Sequence, residues 1–197
     1  MIENNEWKKA VQGYEACISF SDAMLGRLIK GLEKSRRVDN TIIVLWSDHG
    51  MHIGEKEQWE KFTLWEESTR VPLLVIAPGI TEPGSKSGEA VSLLDIYPSL
   101  VNLIGKDPSE QLEGISLLPL LINPGNKRDE PAITTFHQNN HSVRTERWRY
   151  ICYSNGDEEL YDHSIDPDEF NNIAGNKGYR PLLDSLKTWL PNINLQE

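Results

Sequence analysis

Apolar positions set three different rhythms along this chain. Trp7, Ala10, Val11, Tyr14, Ile18, Leu25, Leu28, Ile29 and Leu32 recur three or four residues apart. That spacing predicts a helix from Trp7 to Ser35, apolar on one face and packed on a sheet, with Lys8, Lys9, Glu15, Asp22 and Lys30 opposite. Lys34, Arg36 and Arg37 suit its carboxyl end. Thr41 to Trp46 is a continuous apolar and β-branched run, the composition of a strand buried on both faces of a parallel sheet. Val71 to Ala77 reads as a second such strand. A polar stretch of about twenty residues, Met51 to Arg70, separates the two, long enough that function is its better explanation.

Beyond Pro78-Gly79 the rhythm changes. Leu94, Tyr97, Leu100, Val101 and Ile104 fall at helical spacing, and a cap at or near Asp95 would put Pro98 in the first turn, where proline is tolerated. Residues 123–130, rich in Asn, Pro, Gly and charge, read as a boundary. Four short strands follow, at Ala132–Phe136, Ser142–Glu146, Trp148–Tyr153 and Glu159–Tyr161, separated by turn residues. They predict a small antiparallel sheet. Tyr179 to Leu190 predicts a terminal helix with Leu182, Leu183, Leu186 and Trp189 on one side. The fold class is therefore α/β, divided into residues 1–125 and a small α+β unit, 126–197.

Candidate chemistry gathers at the end of the first strand. Ser47, Asp48, His49 and Gly50 follow Trp46 directly, at the carboxyl end of a strand, where open α/β sheets build their sites. Adjacent strand side chains point to opposite faces, so Asp48 and His49 meet on one ion only if the chain bends there. Gly50 allows such a bend. A carboxylate with one imidazole suits a hard or borderline divalent cation. An aspartate capping the next turn beside an ordinary hydrogen-bonded histidine fits the same residues. In the following loop His52, Glu55, Lys56, Trp59 and Lys61 carry the remaining polar chemistry, while Trp59 and Trp65 read as packing groups. Glu66-Glu67 reads as a solvated or structural pair.

Composition narrows the classes. The net charge of −10 argues against a nucleic-acid partner, and no apolar run reaches the length of a membrane span. The amino terminus, Met-Ile-Glu-Asn-Asn-Glu-Trp, does not read as a signal peptide. Localisation is therefore left open. Cys17 and Cys152 lie far apart without metal spacing, and two reduced, buried thiols are the expected reading.

The segments Ser47-Asp48-His49-Gly50-Met51-His52-Ile53-Gly54-Glu55-Lys56 and Trp59-Glu60-Lys61-Phe62-Thr63-Leu64-Trp65-Glu66-Glu67-Ser68-Thr69-Arg70-Val71-Pro72-Leu73 resemble the type I sulfatases. These belong to the alkaline phosphatase-like superfamily, and the match looks closest to its iduronate-2-sulfatase and choline-sulfatase-like branch. Ser92 to Pro98, Leu112 to Leu121, Asn140 to Ile151 and Glu159 to Asp162 with Asp166-Pro167 extend the likeness over nearly the whole chain. It covers the carboxyl-terminal portion of that family. The implied architecture is the carboxyl-terminal part of an alkaline phosphatase-like sandwich, residues 1–125, with a small antiparallel sheet and terminal helix in 126–197.

The resemblance also implies roles. Asp48 and His49 would ligate calcium, and Lys61 would contact the sulfate. His141 and Arg144 would reach the substrate pocket, and His52 is a further substrate-binding candidate. Arg147 and Arg149 look like surface or ion-pair residues. Members of the family attack a sulfate monoester with a formylglycine made from the Cys or Ser of Cys/Ser-x-Pro/Ala-x-Arg, forming a covalent sulfo-enzyme. No Cys or Ser of this sequence stands in that motif, so formylglycine is expected from amino-terminal sequence, and the chain by itself is expected to be inactive. Because the overall charge repels anions, attraction of a sulfate has to be local, from a metal and Lys61. The expected partners are a sulfated small molecule or carbohydrate and an amino-terminal sulfatase chain. The alternatives are a non-catalytic metal-binding module of the same fold and a related phosphodiesterase or phosphonate hydrolase.

Overall fold

Helix α1 spans Trp7–Lys34 and leads through a short 3-10 turn, Val38–Asn40, into strand β1, Ile43–Trp46. The computed structural model describes residues 6–192. Among them no helix is long and apolar enough to cross a membrane. Strands β2 (His52–Ile53) and β3 (Trp59–Glu60) form a small antiparallel hairpin inside the long loop. The one-turn helix α2, Glu66–Thr69, then returns the chain to β4, Leu73–Ile76.

β1 and β4 pair with each other antiparallel, Ile43 opposite Ile76 and Trp46 opposite Leu73. This corrects the parallel pairing expected from composition. A continuous apolar run reports that both faces are apolar; it carries no information about strand direction. Nor is the ribbon buried, since Leu45, Trp46, Leu74 and Ile76 are exposed. α1 likewise has no buried residue, and Ile18, Phe20 and Leu28 on it face outward. Of its apolar face, Val11, Leu25, Ile29 and Leu32 are half-buried, so the face expected to pack on a sheet is only partly covered. In its first turn the Trp7 indole meets Trp59 edge-on, 5.3 Å between centroids. Cys17, expected to be buried, is exposed on this helix; Cys152 is half-buried, and both thiols are free.

Helix α3, Ile96–Leu103, is preceded by a 3-10 turn, Leu93–Asp95, that carries a capping box. The Ser92 hydroxyl accepts from the Leu94 amide, and the Asp95 carboxylate accepts from the Ser92 amide. Pro98 falls in the first turn, where its missing N–H has no partner to lose. The short helix α4, Leu118–Ile122, follows.

Strands β5 (Ala132–Thr135), β6 (His141–Arg144), β7 (Trp148–Cys152) and β8 (Glu158–Asp162) form a four-stranded antiparallel meander. Alternation along β7 sends its residues to two different cores. Tyr150 joins Val143 and Leu160 against Leu183 and Leu186 of α5, Arg180–Lys187. Ile151, one residue on, packs with Tyr161 against Leu64 of the long loop. The meander thus has the terminal helix on one face and the candidate site loop on the other.

Candidate active site

The loop carrying the candidate residues is fixed by two close approaches of backbone. The Gly50 amide donates to Ser68 O at 2.8 Å, and a Cβ on Gly50 would lie 1.9 Å from Glu67 O. Glycine is required there by this contact, since its φ is outside the left-handed region. Gly54 has φ +123° and lies against the Trp7 indole, which a Cβ would strike at 1.8 Å. The backbone bends at Asp48, immediately beyond β1, as convergence of Asp48 and His49 requires.

Three sequence-identified residues meet at this bend. Lys61 Nζ lies 2.7 Å from His49 Nε2, and Asp48 Oδ2 lies 3.6 Å from the same nitrogen. His49 Nδ1 is 2.7 Å from Gly50 O. With the ammonium donating to Nε2, the proton sits on Nδ1 and is given to Gly50 O. The Nε2 lone pair is therefore turned toward Asp48 and Lys61, the tautomer a metal-ligating imidazole needs. The Asp48 side chain is 82% exposed, so its oxygens are free to coordinate. One carboxylate and one imidazole nitrogen converging from adjacent residues fit a divalent cation, supplying two ligands of its shell. All three residues line a cavity of about 1160 Å³, whose far wall includes Thr135, Phe136 and Arg144.

The other candidates stand differently. Arg144 is in the cavity wall, its guanidinium donating to Glu66 Oε2 at 3.2 Å and to His163 Nδ1 at 3.0 Å. The structure does not bring His52 or His141 to the cavity surface. His52 is fully buried, 2.7 Å from Thr63 Oγ1, and His141 is buried with Nδ1 2.9 Å from Thr135 Oγ1. Each histidine stands behind a threonine that lines the cavity.

Sequence reasoning missed the network beneath the site. Arg149, expected as a surface or ion-pair residue, is an ion-pair residue and is buried, 2% exposed. Its guanidinium donates to Glu66, Glu169 and Ser142 Oγ and, at 3.1 Å, to the backbone of Leu64. His163 Nε2 adds a contact of 2.8 Å to Glu169. Burial pushes the Glu66 carboxyl up, but Arg149 and Arg144 outweigh it and hold its pKa at about 2. Glu169 is lowered in the same way, burial being overcome by His163 and Arg149. Glu66, His163 and Glu169 bring three ligand atoms close enough for a metal, but both carboxylates already neutralise guanidinium groups, so the cluster is an ion-pair clasp. The alternation of β7 carried the signal: Arg149 shares a face with Ile151, opposite Tyr150.

The family model described as Sulfatase matches residues 2–106, more than half of the chain. The chain belongs to the sulfatase family. A Sulfatase of Formosa agariphila is 42% identical over 193 residues, which is 98% of this chain and 38% of the relative. Arylsulfatase K of Gallus gallus is 38% identical over 176 residues, 82% of this chain and 33% of the relative. Among solved structures, BT4656 in complex with its substrate D-glucosamine-2-N,6-O-disulfate superposes with a TM-score of 0.78 at 30% identity, covering 85% of this chain and 36% of that one. This sulfatase-family chain thus spans about a third of the length of the relatives it matches. Its mixed helices and antiparallel sheets are part of the alkaline phosphatase-like sulfatase fold.

Proposed function

We propose that this chain forms part of a sulfatase that hydrolyses a sulfate monoester of a carbohydrate, with Asp48 and His49 ligating a calcium ion and Lys61 holding the sulfate. The observation that supports this reading is the convergence of Asp48 Oδ2 and Lys61 Nζ on His49 Nε2 at the rim of the large cavity. Bound there, the cation would polarise sulfate oxygens and favour the ionised form of an attacking oxygen. The residues of this chain do the rest of their work electrostatically. As the S–O bond breaks, its electron pair goes to the departing ester oxygen, while the Lys61 ammonium offsets the negative charge of the sulfate oxygen that it holds. The hydrogen bond from His49 Nδ1 to Gly50 O keeps the ring oriented. Arg144, clamped by Glu66, gives the far wall a fixed positive edge. The formylglycine nucleophile and the remaining ligands would come from sequence outside these 197 residues, in the same or a separate chain.

Calcium titration of the chain by calorimetry, with Asp48→Asn alongside, tests the metal assignment. Binding abolished by the substitution is the expected result; unchanged binding overturns it. Hydrolysis of sulfated and phosphorylated sugars, with and without a polypeptide carrying Cys-x-Pro-x-Arg, tests the activity. Turnover of the sulfate ester only in the mixture is expected. Tight calcium binding without complementation favours a non-catalytic metal-binding module.

A further inference from the structure

A second, smaller cavity adjoins the first. It has a volume of about 280 Å³ and is lined by Gln58, Phe62, Leu64, Trp65, Asn140 and Tyr153, sharing Thr63 and Phe136 with the large cavity. Phe62 directly follows Lys61 in the chain yet leaves 60% of its surface exposed. Its ring lies 6.0 Å from that of Phe136, tilted by 31°. Phe136 is braced by the His137 ring, centroids 4.1 Å apart. No charged residue lines this cleft, whereas the large cavity carries Asp48, Lys61, Glu66 and Arg144.

We propose that this cleft is a subsite for the uncharged pyranose ring that bears the sulfate, with Phe62 and Phe136 as its stacking platform. The inference rests on the sulfate-holding role of Lys61 and adds the residues that recognise the sugar. A pyranose has an apolar face of C–H bonds with partial positive charge, which packs against the negative face of an aromatic ring. Its rim of hydroxyls needs neutral donors and acceptors: the Gln58 amide, the second amide N–H of Asn140 and a remaining lone pair on the Thr63 and Tyr153 hydroxyls can supply them, their other bonds being to Gln138, Ser154, His52 and Glu159. An ammonium on one side of Phe62 and neutral aromatic walls on the other match a ligand charged at one end and uncharged in its ring. Small sites of this kind place a few polar groups in a mostly apolar lining to fix orientation. Thr63 is the hinge between the two cavities, held by His52 at 2.7 Å. His52 thereby acts through Thr63 as a positioning residue.

The test is calorimetry in calcium chloride with the whole chain, using N-acetylglucosamine 6-O-sulfate, methyl sulfate and phenyl sulfate as probes. Phe62→Ala removes a mostly exposed ring and is expected to fold, which circular dichroism checks. The expected result is about a tenfold loss for N-acetylglucosamine 6-O-sulfate with methyl sulfate unchanged. Phe136→Ala should act in the same direction. Equal binding of the sugar sulfate by wild type and Phe62→Ala overturns the subsite, as does an equal loss for methyl sulfate. Phenyl sulfate bound more tightly than the sugar sulfate, with the same loss on Phe62→Ala, makes the cleft an aryl site and overturns the sugar assignment. A wild-type chain that binds none of the three probes defeats the sulfate site, and the subsite falls with it. A wild-type chain that binds methyl sulfate as well as the sugar sulfate defeats the subsite alone.

Discussion

Glu66 and Glu169 are 103 residues apart in sequence, and the Glu66 amide donates to the Glu169 carboxylate at 2.9 Å. Both side chains also close on the guanidinium of Arg149. This contact clasps the loop bearing Lys61 to the face of the four-stranded sheet. Arg149 additionally donates to Leu64 O, three residues beyond Lys61. The position of the candidate sulfate-binding ammonium is therefore set from the carboxyl-terminal unit.

Removing that guanidinium should be severe. Arg149→Met leaves two buried carboxylates with only Arg144 and His163 against them, which costs about 3 kcal/mol. Urea unfolding measures it, and a loss below about 1 kcal/mol would show that the clasp is not structural.

Acid should release the same clasp. Glu66 titrates at about 2 in the folded chain against 4.5 as its ordinary value. A depressed folded pKa means that the unfolded chain binds the proton more readily. The stabilisation is complete above 4.5 and is lost as pH falls toward 2, at most about 3 kcal/mol in all. Wild type should lose stability more steeply than Glu66→Gln between pH 5 and 3 (roughly the span over which such a group titrates). Parallel unfolding curves of the two proteins across that range would refute the assignment.

Lys61 and a cation compete for one lone pair. Lys61→Met deletes a positive charge 2.7 Å from His49 Nε2. Calcium affinity should rise, by about tenfold, while sulfate-ester binding falls. Calorimetry with each ligand separates the two effects, and weaker calcium binding in the variant would remove Lys61 from the site.

Gly50→Ala should disturb the site without touching a candidate ligand. The added methyl meets Glu67 O at 1.9 Å, so the bend at Asp48 or the α2 turn has to move. A stability loss of about 1–3 kcal/mol with weakened calcium binding is expected. Wild-type calcium affinity in Gly50→Ala would show that the bend does not set the metal site.

Sequence by itself determined most of the local structure and named the candidates for the site. The helix at Trp7, the strands at Ile43 and Leu73, the four-strand meander and the terminal helix follow from periodicity, because side-chain burial repeats with the backbone's own geometry. Asp48, His49 and Lys61 were legible as candidates because the residues around them resemble a family motif, and the structure brings the three together. Tertiary structure alone decided the antiparallel pairing of β1 with β4, the exposure of Cys17 and of the α1 face, and the burial of Arg149. It also set His52 and His141 behind Thr63 and Thr135. Each of these depends on what lies across from a residue, and a pattern along one chain records which side a residue faces without recording what meets it there.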